Sequence, residues 1–306
     1  MWKALRAISS SNRYDLVHFD TIGMFQYRNL FPDSAWVLNH HNIESHMIER
    51  RSQGAGVLAR SYLRWEATRL ARWERIHGAE ADLHLAVSDL DVDRLRRVIG
   101  NAPAAVIENA VDTEFFRPTE GRQMPGHIVF AGRIDAYANA EAVRWMRDEI
   151  WPQLRAGSAR SVAIIGRSPP PDIISWGHSA PDVEVTGYVD DVRPYLDAGE
   201  VYLCPIRDGG GTRLKLLDAM SMGLPIVSHR MAIEGLSVVP GEHLLVADDA
   251  EGLISHVEAL LADPERRKKI GRNARARVEE LYGAPAVRRR LVAAYRDTLD
   301  RRARRS

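Results

Sequence analysis

The sequence predicts an α/β protein built from two doubly wound parallel sheets, the first of them incomplete. Short apolar, β-rich runs alternate with longer stretches of helical periodicity, the pattern of parallel strands joined by covering helices. A length of 306 residues suits two domains of about 150 residues each. The polar stretch Arg117-Pro118-Thr119-Glu120-Gly121-Arg122-Gln123-Met124-Pro125-Gly126, with two prolines and two glycines, reads as the linker between them.

In the first half the β-rich runs are 16–19, 36–39, 83–88 and 105–108, with a long helical stretch around 57–77. In the second they are 127–132, 161–165, 183–189, 200–206, 224–228 and 244–247, with helices expected at 139–155, 213–222 and 251–261. Six strands against four make the second half a complete doubly wound domain and the first a partial one. The expected division is 1–118, 119–284 and a final helix, 285–306, whose Val287, Leu291 and Ala294 recur at helical spacing and need a surface to cover.

Composition excludes some classes. Lys+Arg at 42 against Asp+Glu at 41 is nearly neutral, which argues against a basic duplex-binding protein and against nucleic acid as partner. The single cysteine, Cys204, lies in the apolar run Val201-Tyr202-Leu203-Cys204-Pro205-Ile206 and reads as a small buried thiol rather than a nucleophile. Nowhere do about 18 consecutive apolar residues occur, and the start lacks a signal-peptide core, so a cytosolic protein is expected. The basic run Arg301-Arg302-Ala303-Arg304-Arg305 is a candidate for peripheral contact with anionic lipid at the inner membrane face, weighed against a solvated helix end.

The chemistry centres on Gly209-Gly210-Gly211-Thr212-Arg213-Leu214-Lys215, a glycine turn between a strand and a helix. Glycines let backbone N–H groups approach an anion, and the helix aims its partial positive end at the same place. Arg213 and Lys215 add full charge there.

Val106-Ile107-Glu108-Asn109-Ala110-Val111-Asp112-Thr113-Glu114-Phe115-Phe116-Arg117-Pro118 resembles the interdomain segment "IPNGVD..F.P" of the family-four (group 1) retaining glycosyltransferases. Ile128-Val129-Phe130-Ala131-Gly132-Arg133-Ile134 is similar to that family's "vGRl" strand, and Gly187-Tyr188-Val189-Asp190-Asp191 to its "G.v.d" turn. Asp218-Ala219-Met220-Ser221-Met222-Gly223-Leu224-Pro225-Ile226-Val227 resembles "EAMa.G.PvV". Upstream, His40-His41-Asn42-Ile43-Glu44-Ser45 is similar to the "hHNiES" of a bacterial exopolysaccharide branch.

The resemblance implies the GT-B fold, two Rossmann-like domains facing across a cleft. It implies a nucleotide diphosphate sugar bound mainly by the second domain, and a glycan or lipid-linked acceptor by the first. No cofactor or metal is expected, because protein groups neutralise the leaving diphosphate. The activity implied is hexosyl transfer with retention, in cell-surface polysaccharide or glycolipid synthesis. The resemblance also implies residue roles. Arg133 matches the family's phosphate-binding arginine, and its planar fork suits the task. Where the family often has a lysine soon after it, this chain has Ile134-Asp135-Ala136-Tyr137-Ala138-Asn139, and Lys215 is the expected replacement, with Arg213 second. Asp218 stands at the position that accepts hydrogen bonds from ribose hydroxyls. Gly210 stands where the family has an acidic residue, so the backbone amides of Gly209, Gly210, Gly211 and Thr212 would contact the donor instead. Tyr188, Val189 and Asp190 would meet the base. His41 is the expected catalytic residue of the first domain, with His40 and Glu44 as alternatives; Ser88 reads as a helix cap.

Family members normally open with a further strand and glycine-rich turn, and the expectation is that upstream residues precede Met1. Two other readings stay open: a sugar-nucleotide epimerase of the same fold, and a non-catalytic subunit.

Overall fold

A computed structural model describes residues 1–119, 121–208 and 212–304. They form two compact units, Met1–Asn109 with Val287–Ser306, and Ala110–Ala286. The segment 110–118 belongs to the second unit for a backbone reason: the N–H of Val111 donates to the carbonyl of Tyr282 at 2.8 Å, and its own carbonyl accepts from Ala284 at 3.2 Å.

The first unit holds a four-stranded parallel sheet in the order β1 (Leu16–Phe19), β2 (Ala35–His40), β3 (Leu83–Ala86) and β4 (Ala104–Val106). Alternation along β2 sends Leu38 to one face, with Phe19, Ile22, Phe25, Phe31 and Ala81, and Val37 to the other, with Leu83 and Leu85. The second face is closed by Leu291, Ala294 and Tyr295 of the final helix Ala284–Ala303. Ion pairs at its flanks, Arg290 to Glu108 at 2.7 Å and Arg302 to Asp82 at 3.1 Å, hold the helix in place. Helices unannounced by periodicity fill the loops: Trp2–Ser11, Glu44–Gln53 and Asp89–Ile99. Ser88 caps the last of these, its Oγ accepting from the Asp91 N–H at 3.1 Å.

Inside the first sheet His40 and His84 are both buried, His40 Nε2 lying 2.9 Å from His84 Nδ1. A hydrogen bond between two imidazoles needs one donor and one acceptor, so the contact favours neutral rings. Burial pushes His40 down to about 3, with His84 and His41 adding repulsion, and pushes His84 down to about 4. His40 is therefore a core residue, and not the alternative ligand-facing histidine the sequence offered: it ends a strand whose alternate side chains point into the sheet's packing.

The second unit is a six-stranded parallel sheet: β5 (His127–Ala131), β6 (Ser161–Ile165), β7 (Val183–Gly187), β8 (Val201–Cys204), β9 (Ile226–His229) and β10 (Leu245–Ala247), in the spatial order β10-β9-β8-β5-β6-β7. β5, β8 and most of β6 are buried, as expected of strands covered on both faces. Strand order reverses between β5 and β8, the place where a doubly wound sheet opens a crevice at its carboxyl edge. The expected helix 139–155 is one rod in three parts: Tyr137–Trp145, a wider π turn at Met146–Ile150, and Trp151–Ala156. Pro152 explains the break, since it offers no N–H to the carbonyl four residues before it.

The histidine pair makes the first unit acid-sensitive. On unfolding both rings return to their ordinary value of 6.5, so the unfolded chain binds more protons at mildly acid pH. The pair's contribution is complete above pH 6.5 and is lost as pH falls toward about 4 and about 3. Denaturant unfolding followed across that range should show a falling midpoint, and the His40→Leu/His84→Leu double variant should flatten the slope.

Candidate functional site

At the reversal, β5 and β8 pair only through Ile128 with Val201 and Val129 with Tyr202, then part. Parting strands leave backbone groups that must find partners. The buried Tyr202 hydroxyl meets this need, accepting from the Ala131 N–H and donating to the Ala131 carbonyl, both at 3.1 Å. The chain then continues through Gly132. A Cβ there would stand 2.3 Å from Lys215 Nζ, so only glycine leaves room for the ammonium. From the other side Gly166 follows β6 so closely that a Cβ would come 1.7 Å from the Gly132 carbonyl oxygen, at φ 144°.

Lys215 stands in the first turn of the helix Leu214–Ser221. Its Nζ donates to Asn139 Oδ1 at 2.6 Å and lies 4.6 Å from the centre of the Phe130 ring. Burial lowers it to about 8, with Arg213 adding repulsion. Asn139 in turn donates through Nδ2 to the Arg133 carbonyl at 2.6 Å, tying the loop after β5 to the helix after β8. One turn along, burial raises Asp218 to about 6. Thr212 Oγ1 is buried with no hydrogen-bond partner among the described residues, an uncommon state for a hydroxyl and one a ligand would relieve.

Arg133 follows β5 with its guanidinium exposed and forked on Asp135, Nε at 3.2 Å and Nη2 at 3.0 Å. Hydrogen bonding and charge from that carboxylate raise the arginine's pKa. Arg213 donates through Nη2 to the Asp208 carbonyl at 2.8 Å. Gly209, Gly210 and Gly211 lie outside the described residues. Cys204 is buried beside this region, and burial pushes its thiol up, against use as a nucleophile.

Of the expected base-contacting turn, Tyr188 and Asp190 are exposed and Val189 is half-buried. Gly187, with φ 71°, turns the chain there, and β7 ends at it rather than at Val189.

In the first unit His41 follows β2, its Nε2 3.1 Å from Asp20 Oδ1. Asn39 Nδ2 donates to the same oxygen at 3.2 Å. Desolvation raises Asp20, but the hydrogen bonds from Asn39 and His41 outweigh it and hold the carboxyl below its usual range. The Asp20 carboxylate accepts a hydrogen bond from the His41 Nε2–H, so Nδ1 is the ring nitrogen left for another partner. Glu44, at the start of the next helix, is raised by burial.

The sequence reading missed Asp20, Asn139 and Tyr202. Asp20 directly follows β1 and Asn139 lies in the first turn of the helix after β5, positions near the strand ends where ligands of α/β sheets collect, and that was their one available signal. Tyr202 had none, because its partner lies 71 residues away. Among the described residues no group of three His, Cys, Asp or Glu side chains is placed to hold a metal ion, and no helix is long and apolar enough to cross a membrane.

Both units are built on parallel sheets of the GT-B glycosyltransferase type. The chain superposes on sucrose-phosphate synthase of Thermosynechococcus elongatus with a TM-score of 0.77 at 21% identity, over 96% of this chain and 76% of that one. It superposes on HepE of Anabaena, solved in complex with UDP, with a TM-score of 0.75 at 14% identity, over 97% and 81%. Residues 125–263, within the second unit, match the family model described as glycosyl transferases group 1. The sulfoquinovosyl transferase SQD2 of Arabidopsis thaliana is 25% identical over 190 residues, 56% of this chain and 35% of that protein. The matches span less than half the length of the curated relatives.

Removing the Asn139 amide orphans a half-buried ammonium and the Arg133 carbonyl. Asn139→Ala is expected to destabilise the second unit by about 1–3 kcal/mol, read from urea unfolding.

Proposed function

We propose that this protein transfers a sugar, with retention, from a nucleotide diphosphate sugar to an acceptor hydroxyl, in the synthesis of a cell-surface polysaccharide or glycolipid. The observation that carries the proposal is the half-buried Lys215 ammonium at the strand-order reversal, held between Asn139 and the Phe130 ring. An incoming diphosphate supplies the negative charge this site lacks. In the reaction the bond between the anomeric carbon and the phosphate oxygen breaks as the acceptor oxygen attacks from the same face, and the acceptor proton passes to the departing oxygen. Negative charge grows on the diphosphate, where Lys215 and Arg133 stabilise it and Arg213 borders it. No metal or other cofactor has a part in this scheme. Arg133 exchanges the carboxylate of Asp135 for phosphate oxygens of the same geometry.

Asp218 accepts from the ribose hydroxyls, which requires its ionised form. Thr212 donates its unpartnered hydroxyl to the donor, beside the backbone amides of 209–211, and the turn Tyr188-Val189-Asp190 meets the base. His41, fixed by Asp20, orients a sugar hydroxyl. The similarity to a fold solved with UDP makes uridine diphosphate the first ligand to try. The cell-surface role rests on the His40-His41-Asn42-Ile43-Glu44-Ser45 motif, and a cytoplasmic enzyme is part of the proposal.

Arg133→Ala should lower transfer by roughly tens to thousands fold, as loss of one transition-state stabiliser does, while thermal unfolding is unchanged. Undiminished turnover in that variant would remove the arginine from the mechanism. Product analysis with donor alone separates transfer from epimerisation: a free epimer without acceptor contradicts the proposal.

Donor affinity should also follow pH. Lys215 must be charged and Asp218 ionised, so calorimetric binding of uridine diphosphate is expected to be tightest between about 6 and about 8. Above that window the ammonium is neutralised; below it the carboxyl is protonated. Asp218→Asn should abolish the acid limb and leave the alkaline one, and a flat profile for the unaltered protein would contradict both roles.

A further inference from the structure

The helix Val57–Gly78 of the first unit packs through Ala67, Glu74 and Gly78 and leaves its opposite side uncovered. Along that side Leu58, Tyr62, Trp65, Arg69, Arg72 and Ile76 follow one another at alternating steps of four and three residues, which places them in one stripe. Leu58 is 89% exposed, Tyr62 60%, Trp65 54% and Ile76 53%. Large apolar side chains in water at this density on one helix are a cost the fold does not explain.

The stripe is also organised. Tyr62 and Trp65 have ring centres 6.0 Å apart, and the Arg69 guanidinium lies 4.6 Å from the centre of the Trp65 ring, its charge shared with Glu66 at 3.3 Å. Arg64 and Arg75 stand on one flank, and the helix as a whole carries five arginines against two glutamates. On the other flank an open groove of about 600 Å³ shares Arg69, Arg72 and Ile76 with the stripe and is floored by Leu70 and Trp73.

We propose that this face lies on an anionic lipid surface, with Leu58, Trp65 and Ile76 entering the acyl boundary, Tyr62 at the headgroup level and the arginines on lipid phosphates. Two properties select that partner. Tyr and Trp are amphipathic rings suited to an interface that is apolar on one side and wet on the other. The excess of arginine calls for a partner of opposite charge, and a second copy of this chain would bring the same positive excess. The inference does not depend on the transfer reaction: it concerns where the protein sits, and its test reads no turnover.

The test is co-sedimentation of the full chain with phosphatidylcholine vesicles, with and without about one-third phosphatidylglycerol, at low and high salt. Binding is expected to be at least about ten-fold tighter to the anionic vesicles and to weaken with salt. Leu58→Ser/Trp65→Ser should weaken it about ten-fold, and Arg69→Glu/Arg72→Glu by a similar factor, with unchanged thermal unfolding because these side chains are exposed. Lys268→Glu/Lys269→Glu, on the second unit, should leave it unchanged. Failure to bind anionic vesicles overturns the proposal, as does equal weakening by the lysine pair, which would mark an effect of net charge alone. A dimer in sedimentation velocity that Leu58→Ser/Trp65→Ser converts to monomer would assign the stripe to self-association and overturn it as well.

Discussion

The parting of β5 from β8 is the constraint on which the second unit depends. A parallel sheet that winds both ways from its centre has to split there, and the split strips two backbone groups of Ala131 of their ladder partners. Tyr202 restores both through one buried hydroxyl. With that wedge in place the chain can leave the sheet at Gly132, and the missing side chain of Gly132 makes the room that Lys215 occupies. Backbone need, strand divergence and the charged site are thus one arrangement.

The site is electrostatically expensive as it stands. The ammonium of Lys215 and the carboxyl of Asp218 are both shifted toward their neutral forms by burial. Among the described residues no direct bond joins the two, so neither relieves the other. An anion at the turn favours the charged lysine, and a hydroxyl donor favours the charged aspartate. Such groups are dipoles and charges placed before the ligand arrives, which is how protein groups stabilise developing charge without rearranging.

The first unit uses titratable groups differently. His40 and His84 face each other inside the sheet as a neutral pair, whereas His41, one residue later, stands at the strand's end with Asp20 and Asn39. Strand alternation makes the distinction, because successive side chains point to opposite sides and the last one leaves the sheet altogether. The uncovered face of the helix Val57–Gly78, with its aromatic and arginine stripe, is a surface property that no packing requirement of this unit accounts for.

All ten strands among the described residues overlap runs whose apolar character was legible in the sequence, with Ala35, His40, Ala104 and His229 just outside the expected bounds, because parallel strands covered on both faces are near-continuous runs of apolar residues. Arg133 and the helix carrying Lys215 and Asp218 were legible as motifs, since spacing along the chain already puts them near strand ends. The short helices of the first unit were not read as elements, although Ser88 was read as a cap and Asp89–Ile99 follows it. Asn139 and Tyr202 were not legible, because their partners are 76 and 71 residues distant. The sequence by itself determined the alternation of strand and helix and the chemical groups available. Only the tertiary structure decided that Lys215 is half-buried and His40 internal, because burial depends on what folds against a side chain, and that information is carried by remote residues.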